Sequence, residues 1–199
     1  MNTLKAEKRD MTVKAKKLRR EGFVTGNVFG REMKGSMPIK MDKLEVDHIL
    51  QTCGKGSQLM LEVDGQQMDV LIKEIDYNAL KKQVEEIDFQ ALVSGEKVHS
   101  VAEIFLLNHD KVTEGVLQQR LHEISYKALP DALIDKIEID ALSMRVGDTI
   151  KVKDLPIASN PGIDLMTDPE TTVATITPAR VNADAESSDA AADEKKTDK

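Results

Sequence analysis

Apolar and polar positions alternate with a period of two over much of this chain, the pattern of half-buried strands. Leu59, Leu61 and Val63 alternate with polar neighbours, Asp64-Gly65 follows, and Met68, Val70 and Ile72 resume the alternation. An Asp-Gly pair between two such runs predicts a two-residue hairpin, because both turn positions need positive φ. Residues 84–92 and 98–107 read as further strands. In the second of these, residues 104–107 are apolar at every position, which predicts burial on both faces. Ile137, Ile139 and Ala141 alternate with Lys136, Glu138 and Asp140, and Ile150 and Val152 alternate with Lys151 and Lys153. Residues 173–177 complete the set of strands.

Two segments break to a helical period. Asp42 and Glu45 form a candidate capping box. Val46, Ile49, Leu50 and Cys53 then fall at i, i+3, i+4 and i+7, with Gly54 placed to end the helix. Cys53 is on that reading a core residue and not a nucleophile. The other helix, predicted over residues 12–21 and stopped by Gly22, is different in kind. Lys14, Lys16, Lys17, Arg19 and Arg20 leave it only Ala15 and Leu18 for packing. The fold class is therefore mainly β with a few short helices. Ser94-Gly95 separates two strands and marks a boundary between domains at 1–93 and 96–180. Residues 181–199, mostly Ala, Asp, Ser, Glu, Lys and Thr with little apolar content, read as an acidic disordered tail that cannot bury enough surface to offset ordering.

Charge changes this picture. The formal net charge is −7, which by itself argues against a nucleic-acid partner. Residues 1–40, however, carry eleven Lys or Arg against four Asp or Glu, a balance of +7. Residues 41–95 sum to −6, residues 96–180 to −5 and residues 181–199 to −3. A basic block on an acidic protein fits a polyanion, since each cation placed on a phosphate releases counterions. The alternative is a solvated helix face that balances the acidic remainder.

Other chemistry is sparse. No apolar run is long enough for a membrane-spanning helix, and no secretory leader is predicted. Cys53 is the single cysteine, so no internal disulfide can form, as suits a reducing compartment. His48, His99, His109 and His122 have no metal-ligand spacing and read as structural, His122 sharing a face with Ile124 and Tyr126. Gly54-Lys55-Gly56-Ser57 fails as a phosphate loop, because Gly56 stands where Ser or Thr must follow the lysine. The segment reads instead as a helix exit leading into a strand. No serine elbow, dinucleotide fingerprint or carboxylate dyad is present, so no enzyme, cofactor, metal or small-molecule substrate is predicted.

Several blocks resemble one family in order along the chain. They are Leu4-Lys5-Ala6-Glu7-Lys8-Arg9, Lys16-Lys17-Leu18-Arg19-Arg20-Glu21-Gly22, Val28-Phe29-Gly30, Val63-Asp64-Gly65, Val70-Leu71-Ile72-Lys73 and Ile87-Asp88-Phe89. Glu114-Gly115-Val116-Leu117-Gln118-Gln119, Leu129-Pro130, Ile137-Glu138-Ile139-Asp140, Val146-Gly147-Asp148-Thr149-Ile150 and Lys153-Asp154-Leu155 continue it. The chain resembles the bacterial 5S-rRNA-binding protein of the large ribosomal subunit, in the long form also called general stress protein Ctc. That resemblance implies a small N-terminal β-barrel-like domain on 5S rRNA and a β-rich C-terminal domain toward large-subunit proteins, in the cytoplasm. The implied RNA-binding set is Arg9, Lys14, Lys16, Lys17, Arg19, Arg20, Phe29, Arg31 and Asp88. The family pattern is departed from at Thr12-Val13-Lys14, which replaces Gly-Lys-Gly, and at Phe29, which replaces a tyrosine. Asn78-Ala79 replaces His-Pro, and Glu86 replaces a histidine. These departures motivate an alternative, a stress-associated ribosome-interaction protein of the same fold with weakened rRNA binding, acting through C-terminal contacts.

Overall fold

The structure, a computed structural model, describes residues 2–109 and 115–178. Residues 181–199 of the expected tail lie outside the described residues. The chain builds a six-stranded closed barrel and then two further sheets.

The barrel strands are β1 (Thr3–Lys8), β2 (Phe23–Phe29), β3 (Met37–Asp42), β4 (Gln58–Val63), β5 (Gln66–Asn78) and β6 (Gln83–Ala91), closed in the order β1-β3-β2-β6-β5-β4. The expected hairpin is β4–β5. Asp64 and Gly65 form its turn with φ of 50° and 84°, and Val63 pairs with Gln66. Closure depends on two parallel pairings, β1 with β4 and β2 with β6. Leu4, Val28, Ile39, Leu59, Leu61, Ile72, Ile87 and Phe89 fill the interior. Gly26 in β2 has a packing reason: a Cβ there would lie 2.1 Å from the Ile87 carbonyl oxygen.

Helix α2 (Lys43–Leu50) is capped by Asp42, whose carboxylate accepts from the Leu44 and Glu45 N–H groups. Val46, Ile49 and Cys53 are buried against the barrel core as the periodicity predicts. The helix ends at Leu50, short of Gly54. Residues 51–53 turn onto the His48 and Ile49 carbonyls, and Gly56, with φ of 87°, makes the reversal into β4. The basic helix α1 is also shorter than expected, Ala15–Arg20. Residues 10–13 are held out of it by a turn in which the Asp10 carboxylate accepts from Thr12 N–H, at 2.8 Å, and the Asp10 carbonyl from Val13 N–H.

The second half forms a four-stranded sheet in the order β10-β7-β9-β12 and a three-stranded sheet in the order β11-β13-β8. Their strands are β7 (Val98–Leu107), β8 (Val116–Gln119), β9 (Glu123–Ala128), β10 (Lys136–Asp140), β11 (Thr149–Lys151), β12 (Ile163–Leu165) and β13 (Thr172–Thr177). One core lies between the sheets, with Ala102, Ile104, Ile124, Tyr126 and Ile137 from one and Val173 and Ala174 from the other. Tyr126 is fully buried, and its hydroxyl donates to the Ile134 carbonyl at 2.9 Å and accepts from the Ile134 N–H at 2.8 Å.

Two expectations are corrected here. Residues 104–107 are not buried on both faces: Phe105 is 46% and Leu107 43% exposed. The three-stranded sheet covers only the face that carries Ile104, so the opposite face keeps its access to water. His122 is exposed, because β9 begins only at Glu123 and the inward row starts with Ile124.

The barrel meets β7 closely. Leu71 alternates with the inward Val70 and Ile72 and so points outward, yet it is fully buried. Its neighbours show what covers it: Lys73 Nζ donates to the His99 carbonyl at 2.8 Å, and Ser100 Oγ donates to the Gly56 carbonyl. At Gly56 a Cβ would sit 1.9 Å from the Val101 carbonyl oxygen. Burial there, together with the Lys55 charge, lowers the Lys73 pKa from its ordinary value.

Candidate nucleic-acid interface

Strand β2 sends Val24, Gly26 and Val28 inward, so Thr25, Asn27 and Phe29 belong to the outer row. On β6, Ile87 and Phe89 point inward and Glu86 and Asp88 outward. The parallel register sets Asn27 beside Asp88, and β5 contributes Glu74 opposite Asp88 and Asp76 opposite Glu86. The Asn27 amide donates to both Glu86 and Asp88 at 3.2 Å, bridging two carboxylates that would otherwise repel. One barrel face thus presents Phe29, an amide and a patch of carboxylates.

Helix α1 packs on β2 at one end of this face through Leu18, its buried residue. Lys14, Lys16, Lys17 and Arg20 are exposed. Lys17 stands 3.8 Å from Glu21, whereas Lys14, Lys16 and Arg20 are in no ion pair among the described residues. No acidic residue occupies the first turn, and three basic residues fill the last, where they suit the helix dipole.

Arg19 behaves differently. Its guanidinium donates to Glu85 at 2.6 Å, and Glu85 also accepts from Asn78 at 2.8 Å and Lys81 at 3.0 Å. These donors, Lys81 first and Asn78 next, lower the Glu85 pKa from its ordinary value. Asn78 also accepts from the Lys81 N–H at 3.1 Å and so holds the turn between β5 and β6. Asn78 therefore has a local structural role in this chain. Arg9 is half-buried, donating to the Val13 carbonyl at 3.3 Å. Arg31 pairs with Glu96, beyond the barrel strands.

Among the sequence-derived residues, the structure groups Phe29 and Asp88 on one face, with α1 at its end. It ties Arg19 to β6 and turns Arg31 toward Glu96. Asn27 was missed, and so was the pairing of Glu85 with Arg19. Asn27 could have been found as the position two residues before Phe29 on the same strand face. The Arg19–Glu85 pairing carried no signal, since the two residues lie 66 positions apart. No group of three or more His, Cys, Asp or Glu among the described residues could hold a metal ion. No helix among them is long and apolar enough to cross a membrane.

The architecture is thus a closed barrel bearing a basic helix, followed by a two-sheet β unit. The Ribosomal L25p family matches residues 4–89, and the C-terminal domain of ribosomal protein TL5 matches residues 97–180. Large ribosomal subunit protein bL25 of Bacillus velezensis is 30% identical over 187 residues, covering 92% of this chain and 91% of that protein. That of Bacillus licheniformis is 28% identical over 203 residues, covering 100% and 96%. That of Listeria monocytogenes serotype 4b is 29% identical over 182 residues, covering 89% and 86%. The chain belongs to the bL25 family.

Proposed function

We propose that this protein is a structural constituent of the large ribosomal subunit in the cytoplasm, and that its N-terminal part binds 5S rRNA. The role is structural and not catalytic. The observation that carries this reading is the exposed set Lys14, Lys16 and Arg20 on α1, in no ion pair among the described residues and within the segment similar to the Ribosomal L25p family. These cations would sit on phosphates, while Phe29 offers a stacking face and the Asn27–Asp88 pair offers a donor and an acceptor. Arg9 would stiffen the approach to α1, and Arg19 would hold the helix against β6. Residues 1–93 would form the RNA-binding unit and residues 96–180 the unit that contacts large-subunit proteins.

Filter binding against 5S rRNA across salt concentrations tests the proposal. About four or five cations on phosphates give a slope of log K against log salt on the order of −4. Replacing Lys16 and Arg20 with Gln should weaken binding and flatten the slope by about 2, whereas the same change at Lys151 and Lys153 should leave it unaltered. Absence of binding at low salt, or equal effects of the two pairs, would overturn the assignment.

A further inference from the structure

Residues 96–180 are assigned above to large-subunit proteins without a named surface; the outer face of β7 and β10 offers one, and its role as such rests on that assignment. Phe105 and Leu107 stand on it half-exposed, and a groove of about 310 Å³ runs between them and the α2 exit loop at residues 50–54. Two apolar side chains beside a groove give this face the shape and chemistry of a contact surface.

The charges identify what. The strand register sets Lys136, Glu103 and Glu123 side by side across β10, β7 and β9, with the two glutamates directly opposite. Like charges in that position repel. The nearby cations are already engaged, Lys136 with Glu138 at 2.7 Å and Lys55 with Glu123 at 3.2 Å. Glu103, which lines the groove, is in no ion pair among the described residues, whereas Asp135 beside it is held by Ser57, Gln58 and the nearby Lys136 charge. The groove therefore combines an apolar floor with a deficit of positive charge. An RNA backbone would be repelled by it, and so would residues 181–199 of this chain, with six acidic residues against three lysines.

We propose that this groove docks an extended, lysine- or arginine-bearing segment of a neighbouring protein. An apolar side chain of that segment lies on Phe105 and Leu107, one flanking cation reaches the uncompensated Glu103, and another joins Lys136 on Glu138. Such a contact supplies the missing cation and removes apolar surface from water in one step.

The test is a titration of the full-length, 15N-labelled protein with the peptide Lys-Leu-Lys-Phe-Lys-Leu-Lys, followed by backbone amide shifts. Saturable shifts are expected at residues 50–54, 103–107 and 136–138. The paired change E103Q and E138Q should weaken binding at least tenfold, and so should F105S, whose fold is checked by unchanged β13 amide shifts. A peptide with Glu in place of each Lys should not bind. The proposal is overturned if no saturable shifts occur or if the Gln variant binds equally well. It is also overturned if the shifts centre on residues 74–88, or if self-association or 5S rRNA, and not the peptide, perturbs this face.

Discussion

Replacing Tyr126 with Phe removes one oxygen from the middle of the second core. The ring is fully buried, and its hydroxyl closes a two-way exchange with Ile134, accepting at 2.8 Å and donating at 2.9 Å. Each lost hydrogen bond is worth about 1 kcal/mol, and a buried group left without a partner adds roughly 1–3 kcal/mol. Ile134 is only partly buried, so water recovers some of that loss. The expected cost is about 2–3 kcal/mol, which for a unit of this size lowers its melting temperature by on the order of 10 °C. Burial also raises the Tyr126 pKa, so the native state holds its phenolic proton more tightly than the unfolded chain does. Stability from this group is therefore full below the unfolded value near ~10 and declines as pH rises beyond it. Differential scanning calorimetry measures the cost, with Tyr77→Phe as control because Tyr77 is 59% exposed. A loss below about 0.5 kcal/mol, or equal losses in the two variants, would refute the view that the Ile134 exchange stabilises this core.

Other perturbations probe separate parts of the molecule. Gly56 and Gly65 share nearly the same φ, 87° and 84°, but a Cβ meets the Val101 carbonyl oxygen at 1.9 Å only at Gly56. Gly65→Ala should cost about 1 kcal/mol in urea denaturation and Gly56→Ala at least about twice that; equal costs would mean that the barrel and β7 are not in tight contact. Glu170 accepts from Lys151 and Lys153, each at 2.7 Å, and its pKa falls from 4.5 to about 2. Its contribution is present above 4.5 and lost as pH falls toward about 2. The difference in urea midpoint between the native chain and Glu170→Gln should be constant above pH ~5 and vanish near pH ~2; a pH-independent difference would contradict the pairing. Asp42→Ala should lower stability by about 1 kcal/mol through loss of the α2 cap, and Asp42→Asn should restore most of it.

Local signals and long-range outcomes separate cleanly in this chain. Asp64-Gly65 specified its hairpin because turn geometry is decided by two residues. Val46, Ile49 and Cys53 specified the buried side of α2 because helical period is a local property. The end of α2 was misplaced, since Gly54 and Gly56 are equally good reversal residues in sequence and only the approach to Val101 selects Gly56. The basic residues of the candidate interface were legible by type. Which of them remain free was not, because Glu85 reaches Arg19 only after β6 lies beside α1.

By itself the sequence determined the strand-rich class, the α2 face, the β4–β5 turn and the concentration of positive charge in residues 1–40. Each of these is a matter of neighbours along the chain. Tertiary structure alone decided the closure of the barrel through β1–β4 and β2–β6, the burial of Leu71 under the start of β7 and the exposure of Phe105 and Leu107. The reason is that strand pairing and sheet stacking join residues far apart in the chain. Whether an apolar side chain is buried then depends on which faces are covered.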